Sequence, residues 1–204
     1  MPYAHLDDGR LYYRTDGDRG KPCLLLSNSL GTDLGMWDAQ AAALAGDFHV
    51  LRYDTRGHGG SARGNGPAGI ARLGLDVLGL LDHLGIARTH FCGISMGGLT
   101  GQWLAIHAPQ RVHKLVLANT AARIGNPDGW AARAALVRVE GMGGVADGAA
   151  SRWFSAPFIA GQPAVVRHLI GRLREQDAEG YAACCDALAT YDARALLPRI
   201  TAPQ

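Results

Sequence analysis

The stretch Thr89-His90-Phe91-Cys92-Gly93-Ile94-Ser95-Met96-Gly97-Gly98-Leu99 decides the fold. Its first half, Thr89 to Ile94, reads as a short strand, and Leu99 to Ala108 as a helix stopped by Pro109. Between them Gly93-Ile94-Ser95-Met96-Gly97 matches G-x-S-x-G, with Gly98 behind it. A strand before the motif and a helix after it are the context in which it carries chemistry. Ser95 then sits in a strained turn with its hydroxyl raised above a sheet, and Gly93 and Gly97 let neighbouring backbone come close. The helix that follows directs N–H dipoles toward the negative charge that develops during acyl transfer. The alternative is a glycine-rich turn with an incidental serine; the strand–turn–helix setting makes Ser95 the candidate nucleophile.

Outward from this turn the chain alternates strands and helices. Cys23-Leu24-Leu25-Leu26-Ser27 is a short apolar run of the kind buried on both faces of a sheet, and Phe48 to Asp54 is the next strand, closed by the glycines of Gly57-His58-Gly59-Gly60. Arg10 to Thr15, followed by the Asp16-Gly17-Asp18 turn, is an early antiparallel strand. Leu34 to Leu44 reads as a helix, as does Ile70 to Leu84, with apolar residues at 73, 77, 80, 81 and 84. Val112 to Ala118 is a further strand. This rhythm implies an α/β fold, a mostly parallel sheet with right-handed crossovers. From Pro127 to about Tyr191 the chain turns Ala- and Arg-rich with helical periodicity, a helical insertion lying over the sheet. The organisation read from this is a core over 1–125, a helical cap over 126–192 and a return toward the core over 193–204.

Composition excludes several classes. The 204 residues and 21.5 kDa suit one domain with a modest insertion, long enough to bury a core without metal or disulfide staples. Twenty Lys and Arg against eighteen Asp and Glu give a net charge of +2, which argues against a nucleic-acid surface. No apolar run approaches the ~20 residues that span a bilayer. The opening residues carry neither a cationic start nor an apolar stretch, so the reading is a cytoplasmic chain with no membrane association. Cys23, Cys92, Cys184 and Cys185 show no C-x-x-C spacing and read as buried packing.

Two more loops bear on the site. Ser27-Asn28-Ser29-Leu30-Gly31-Thr32-Asp33 follows the first buried strand. An oxyanion hole beside Ser95 needs one N–H from the next residue, Met96, and one from a loop after an earlier strand, where Leu30 is the candidate. The alternative for this loop is simple helix capping, with Asp33 as N-cap. Asp54-Thr55-Arg56-Gly57-His58-Gly59 reads as a structural turn held by Asp54 and Arg56, with His58 serving the loop's shape rather than acting as a base.

With these residues in place the sequence resembles the α/β-hydrolases, and among them the 3-oxoadipate enol-lactonases. The resemblance rests on Leu26 to Asp33, Leu51 to Gly59, Phe91 to Gly101 and Asn119-Thr120-Ala121-Ala122-Arg123-Ile124-Gly125. It implies attack by Ser95 on an enol-lactone carbonyl, an oxyanion held by the Leu30 and Met96 N–H groups, and an acyl-enzyme opened by water to 3-oxoadipate. It implies a small-molecule lactone as the partner, no metal or organic cofactor, and a fusion or association with an adjacent pathway enzyme as a possible context. In this fold the triad acid and histidine follow the nucleophile in the chain, and at the place after Val112–Ala118 used by some relatives stands Asn119. The triad Asp and His are therefore expected beyond residue 204, about 55 further residues. The chain by itself is expected to be a C-terminally truncated hydrolase, nearly inactive and poorly soluble. A carboxylate substrate calls for a cation: Trp130 and Arg133, three apart on one helix face, are the candidates, against packing and solvation as their alternatives. Trp153 and Phe154 are expected to anchor the cap. Other functions left open are a different small carboxylester or lactone hydrolase, a haloperoxidase-like member of the fold, or an inactive fragment.

Overall fold

The computed structural model describes residues 2–203. Six strands form one mixed sheet: β1 (Tyr3–Leu6), β2 (Gly9–Asp16), β3 (Cys23–Ser27), β4 (His49–Tyr53), β5 (Thr89–Ile94) and β6 (Val112–Ala118). Their spatial order is β1-β2-β4-β3-β5-β6. β1 pairs with β2 and β2 with β4 antiparallel, while β3 pairs in parallel with β4 and β5, and β5 with β6. The α/β class and mostly parallel sheet inferred from the alternating pattern are what the chain adopts. β1 is the strand that pattern missed, because four residues at a sheet edge give too short a run to alternate visibly.

β3 and β4 are buried throughout; β3 accordingly reads as an apolar run, while β4 carries His49 and Arg52 inside it, Arg52 paired with Asp16 and Asp38. Leu25, Leu51, Val77, Leu80, Phe91 and Leu104 centre one face of the core. Helix α1 (Asp38–Leu44) follows a 3-10 turn at Leu34–Trp37, so the single helix expected over 34–44 is two pieces. Helix α2 (Ile70–His83) buries the periodic face anticipated for it. Helix α3 starts at Met96, directly after Ser95, and runs to His107. Its glycines at 97, 98 and 101 have low helix propensity and hide its first turn from a sequence reading. Here packing overrides propensity, since nearly every residue of α3 is buried.

Six helices follow β6: α4 (Pro127–Glu140), α5 (Gly143–Asp147), α6 (Ala150–Trp153), α7 (Ala156–Gly161), α8 (Pro163–Arg174) and α9 (Ala178–Thr190). Val137 of α4 and Tyr181, Cys184, Cys185 and Leu188 of α9 share one apolar cluster with Leu30, Leu73 and Met96. The helical segment is thus sealed onto the loops at one end of the sheet. Cys184 and Cys185 are fully buried and their thiols are pushed up to about 12, so they are inert packing residues. Beyond α9 the chain returns to the sheet: Ile200 and Ala202 pack on the core, and the Leu115 N–H donates to the Pro203 carbonyl at 2.9 Å.

A buried ion pair pins the loop after β4. Arg56 donates from Nε to Asp76 Oδ2 at 2.6 Å and from Nη2 to Asp76 Oδ1 at 2.7 Å, with both side chains almost inaccessible. Removing one member strands a buried charge, at a cost of ~3–5 kcal/mol. Asp76→Ala should lower the unfolding free energy by about that amount in chemical denaturation; a loss below about 1 kcal/mol would show that water or a rearranged loop takes over the guanidinium.

Candidate active site

Register brings the site together. Ser27 at the end of β3 sits beside Gly93 of β5, and Ile94 beside Ala118 of β6, so the segments after all three strands emerge at one edge. β3 is also where consecutive parallel strands leave to opposite sides, and such switch points open a crevice at the carboxyl ends of strands.

Ser95 occupies that edge with φ 54° and ψ −116°, a conformation that costs a non-glycine residue ~1–3 kcal/mol. The surroundings hold it there. Its N–H donates to the Ala118 carbonyl at 3.0 Å, and its carbonyl accepts from the Leu99 N–H at 3.1 Å and from Thr120 Oγ1 at 2.8 Å. A β-carbon on residue 93 would lie 2.3 Å from the Gly97 carbonyl oxygen, and one on residue 97 would lie 2.3 Å from that of Ser27. Neither position can take a side chain.

The loop after β3 is equally constrained. Asn28 donates from Nδ2 to the Tyr53 carbonyl at 2.9 Å and accepts from Trp37 Nε1 at 3.0 Å, while Ser27 Oγ bonds Tyr53 Oη at 2.8 Å. Asp33 caps the 3-10 turn, accepting from Gly35 N–H at 2.9 Å, and its other oxygen accepts from Arg172 Nε at 2.7 Å. Among the described residues no protein acceptor takes the Leu30 N–H. The first turn of α3 leaves N–H groups unpaired by helix geometry, Met96 among them. The two sequence-predicted N–H donors therefore flank the same edge as Ser95.

Helices α8 and α9 grip the loops from above. Besides the Arg172–Asp33 pair, Gln176 Oε1 accepts from the Gly59 N–H at 2.9 Å. Gly180 lies so close to Gly57 that a β-carbon on it would stand 2.2 Å from the Gly57 carbonyl oxygen. Beneath, Asp54 accepts from the Leu34 and Gly60 N–H groups, both at 2.7 Å. Its carboxyl is pushed up to about 6 by burial.

Ser95 opens into a cavity of about 370 Å³. Thr32, Asn119, Arg152, Trp153 and Phe154 help to line it. Among the described residues neither a histidine nor a carboxylate does. Trp130 and Arg133 share a helix face, with the guanidinium carbon 5.0 Å from the indole centroid, but they line a separate cavity with Gly125, Asn126 and Gly129. Trp130 Nε1 donates to the Ile124 carbonyl at 2.6 Å, which makes it a fastener between α4 and the loop before it. The cation at the Ser95 cavity is Arg152, which the sequence reading passed over. Its adjacency to two aromatics is the available signal: Trp153 packs on the main apolar cluster as expected of an anchor and, with Phe154, also lines the cavity.

The strained serine between a parallel sheet and a helix, under a helical segment, is the arrangement of a hydrolase, and comparison bears this out. Residues 22–159 match the family model for the alpha/beta hydrolase fold, and the chain belongs to that family. It is 50% identical to 3-oxoadipate enol-lactonase 2 of Acinetobacter baylyi, an alignment covering all of this chain and 78% of the relative. The crystal structure of the enol-lactonase from Burkholderia xenovorans superposes with a TM-score of 0.96 at 49% identity, covering 99% of this chain and 78% of that one. A putative carbamate hydrolase RutD of Azorhizobium caulinodans is 36% identical over 88% of this chain and 65% of its own length.

Asp54 sets a pH signature for the loop platform. Its folded value of about 6 lies above the ordinary 3.8, so the folded state favours the protonated form. The stability this contributes is complete below pH ~4 and is lost as pH rises through ~6, about 3 kcal/mol for a shift of this size. Between pH 4 and 7 the unfolding free energy of the native chain should fall relative to Asp54→Asn by about that amount. Parallel pH curves for the two proteins would contradict the assignment.

Proposed function

We propose that this chain carries the serine-nucleophile half of a 3-oxoadipate enol-lactone hydrolase, acting in aromatic-acid breakdown in the cytoplasm. The observation that carries the reading is the match to enol-lactonases at half identity over the whole chain, with Ser95 strained at the edge of the sheet. The carbamate-hydrolase likeness is weaker, at 36% identity, and ranks second.

In this reading Ser95 Oγ attacks the lactone carbonyl, and the oxyanion forms between the Leu30 and Met96 N–H groups. Ring opening expels an enolate, which as a stabilised leaving group needs less help from a general acid than an amine, and water then opens the acyl-enzyme to the acid product. A neutral serine hydroxyl is a weak nucleophile. Because the cavity offers it no base among the described residues, the triad histidine and acid are assigned to residues outside 1–204. Arg152 receives the substrate's carboxylate as a charge-assisted partner, with Trp153 and Phe154 walling the unsaturated ring. Trp130 and Arg133, the earlier candidates, act at the seam between α4 and the preceding loop.

The test compares two proteins on 3-oxoadipate enol-lactone. One is the 204-residue chain; the other continues it after residue 204 with the part of the A. baylyi enol-lactonase 2 that the alignment leaves unmatched. The continued chain should turn over the lactone at least ~10³-fold faster than the shorter one, and Ser95→Ala should cost it ~10⁴- to 10⁶-fold in kcat. Within it, Arg152→Ala should raise KM for the carboxylate substrate about tenfold and leave a neutral ester nearly unchanged. Turnover that survives Ser95→Ala sinks the mechanism, and equal KM effects on acid and ester sink the role of Arg152.

A further inference from the structure

His58 lies in the loop after β4 and is 1% exposed. Its Nε2 accepts the Gly31 N–H at 3.0 Å and its Nδ1 lies 3.2 Å from the Arg56 carbonyl. An N–H can only donate and a carbonyl can only accept, so these partners fix the neutral tautomer with the proton on Nδ1. Both nitrogens are committed away from Ser95, which removes His58 as its base. The Gly31 N–H belongs to the peptide joining Leu30 to Gly31. That peptide is the middle of a turn closed by the Thr32 N–H on the Ser29 carbonyl at 3.2 Å, with Gly31 at φ 80° as a type II turn requires. Types I and II differ by a flip of this central peptide, and the flip turns the Gly31 N–H away from its acceptor. Nothing on residue 31 itself resists it. A side chain is barred there, because a β-carbon would meet Leu173 at 2.5 Å and Tyr181 at 3.0 Å.

We propose that His58 is a positioning residue: by accepting the Gly31 N–H it tethers the Ser29–Thr32 turn to the loop after β4 and so fixes where that turn stands, and with it the Leu30 N–H, beside Ser95. The proposal rests on the reading of Leu30 given above. The groups around the imidazole are occupied elsewhere. Asp33 pairs with Arg172, Asp177 caps α9 through the Gly180 N–H, Arg56 pairs with Asp76, and the Tyr181 ring stands 6.4 Å away. Burial among them pushes the imidazole below its usual value, consistent with a permanently neutral acceptor.

The experiment compares His58→Phe, which keeps a flat ring but has no acceptor, with His58→Gln, whose amide oxygen restores one. In the ¹⁵N-labelled 204-residue chain at pH 7, the His58 ring should show a protonated Nδ1 and a bare Nε2. Exchange of the Gly31 amide should quicken about tenfold in His58→Phe and stay within about threefold of the native chain in His58→Gln. On p-nitrophenyl acetate, with both substitutions made in the continued chain described above, His58→Phe should lower kcat ~10- to 100-fold with KM within about twofold, and His58→Gln should recover most of that loss. The opposite tautomer, an unchanged Gly31 exchange rate in His58→Phe, or equal kcat losses in both variants would each overturn the proposal. Exchange and tautomer require no turnover. A continued chain that hydrolyses no ester therefore counts against the Ser95 reading, and the hold of His58 on the loop is still decided by the other two readouts.

Discussion

The Ser27 carbonyl oxygen stands 2.3 Å from where residue 97 would carry a β-carbon, and the geometry of the site depends on that approach. It lets the first turn of α3 press against the end of β3, so the loop of Leu30 and the turn of Ser95 emerge side by side. A side chain at 93 or 97 would wedge the two segments apart. The strain at Ser95 is tolerable for the same reason. Three hydrogen bonds to its backbone and the contact of α3 with β3 over-determine the turn, so the serine has no lower-energy place to go.

Around this centre, buried polar groups do what a hydrophobic core does elsewhere. The loops after β3 and β4 bury little apolar surface beyond Leu30. Asn28, Asp54, Arg56 and His58 substitute for it by reaching backbone groups and charges on neighbouring elements. Such groups are costly to bury singly, but each has its partners, and directional bonds fix a loop's orientation more sharply than apolar contact can. Arg172 of α8 and Gln176, in the connection from α8 to α9, add a second hold. The helical segment therefore fixes the loop that presents the Leu30 N–H, as well as walling the cavity.

How much of this is legible in the sequence follows from how local each signal is. β3 reads correctly to the residue because burial on both faces leaves an apolar run between turn residues, and β5 because the G-x-S-x-G turn marks its end. The Ser95 turn reads because its requirements, two glycines at fixed offsets between a strand and a helix, lie within five residues. The early start of α3 is hidden by its glycines, which favour helix only once β3 is in place. Trp130 and Arg133 illustrate the limit: spacing correctly puts them on one face of α4, yet nothing in a heptad's worth of sequence says which cavity that face looks into. Arg152 escapes for the complementary reason. It stands on a four-residue helix whose direction is set by long-range packing of α5 to α8 rather than by any pattern of its own.

That division between local and long-range signals also separates chemistry from choice of substrate. The strained serine and the loop N–H groups are built from the sheet and its turns, the part shared with relatives that differ in what they hydrolyse. The enol-lactonase of A. baylyi matches at 50% and a carbamate hydrolase at 36%, both over most of the chain. The residues that wall the cavity above Ser95, Arg152, Trp153 and Phe154 among them, come from short helices held by a handful of contacts. Changing the order or pitch of those helices would exchange the cation and the aromatic wall while leaving the Gly97–Ser27 approach intact. A fold arranged this way can reshape its cavity wall without rebuilding the Ser95 turn, provided that Arg172 and Gln176 keep their grip on the loops beneath.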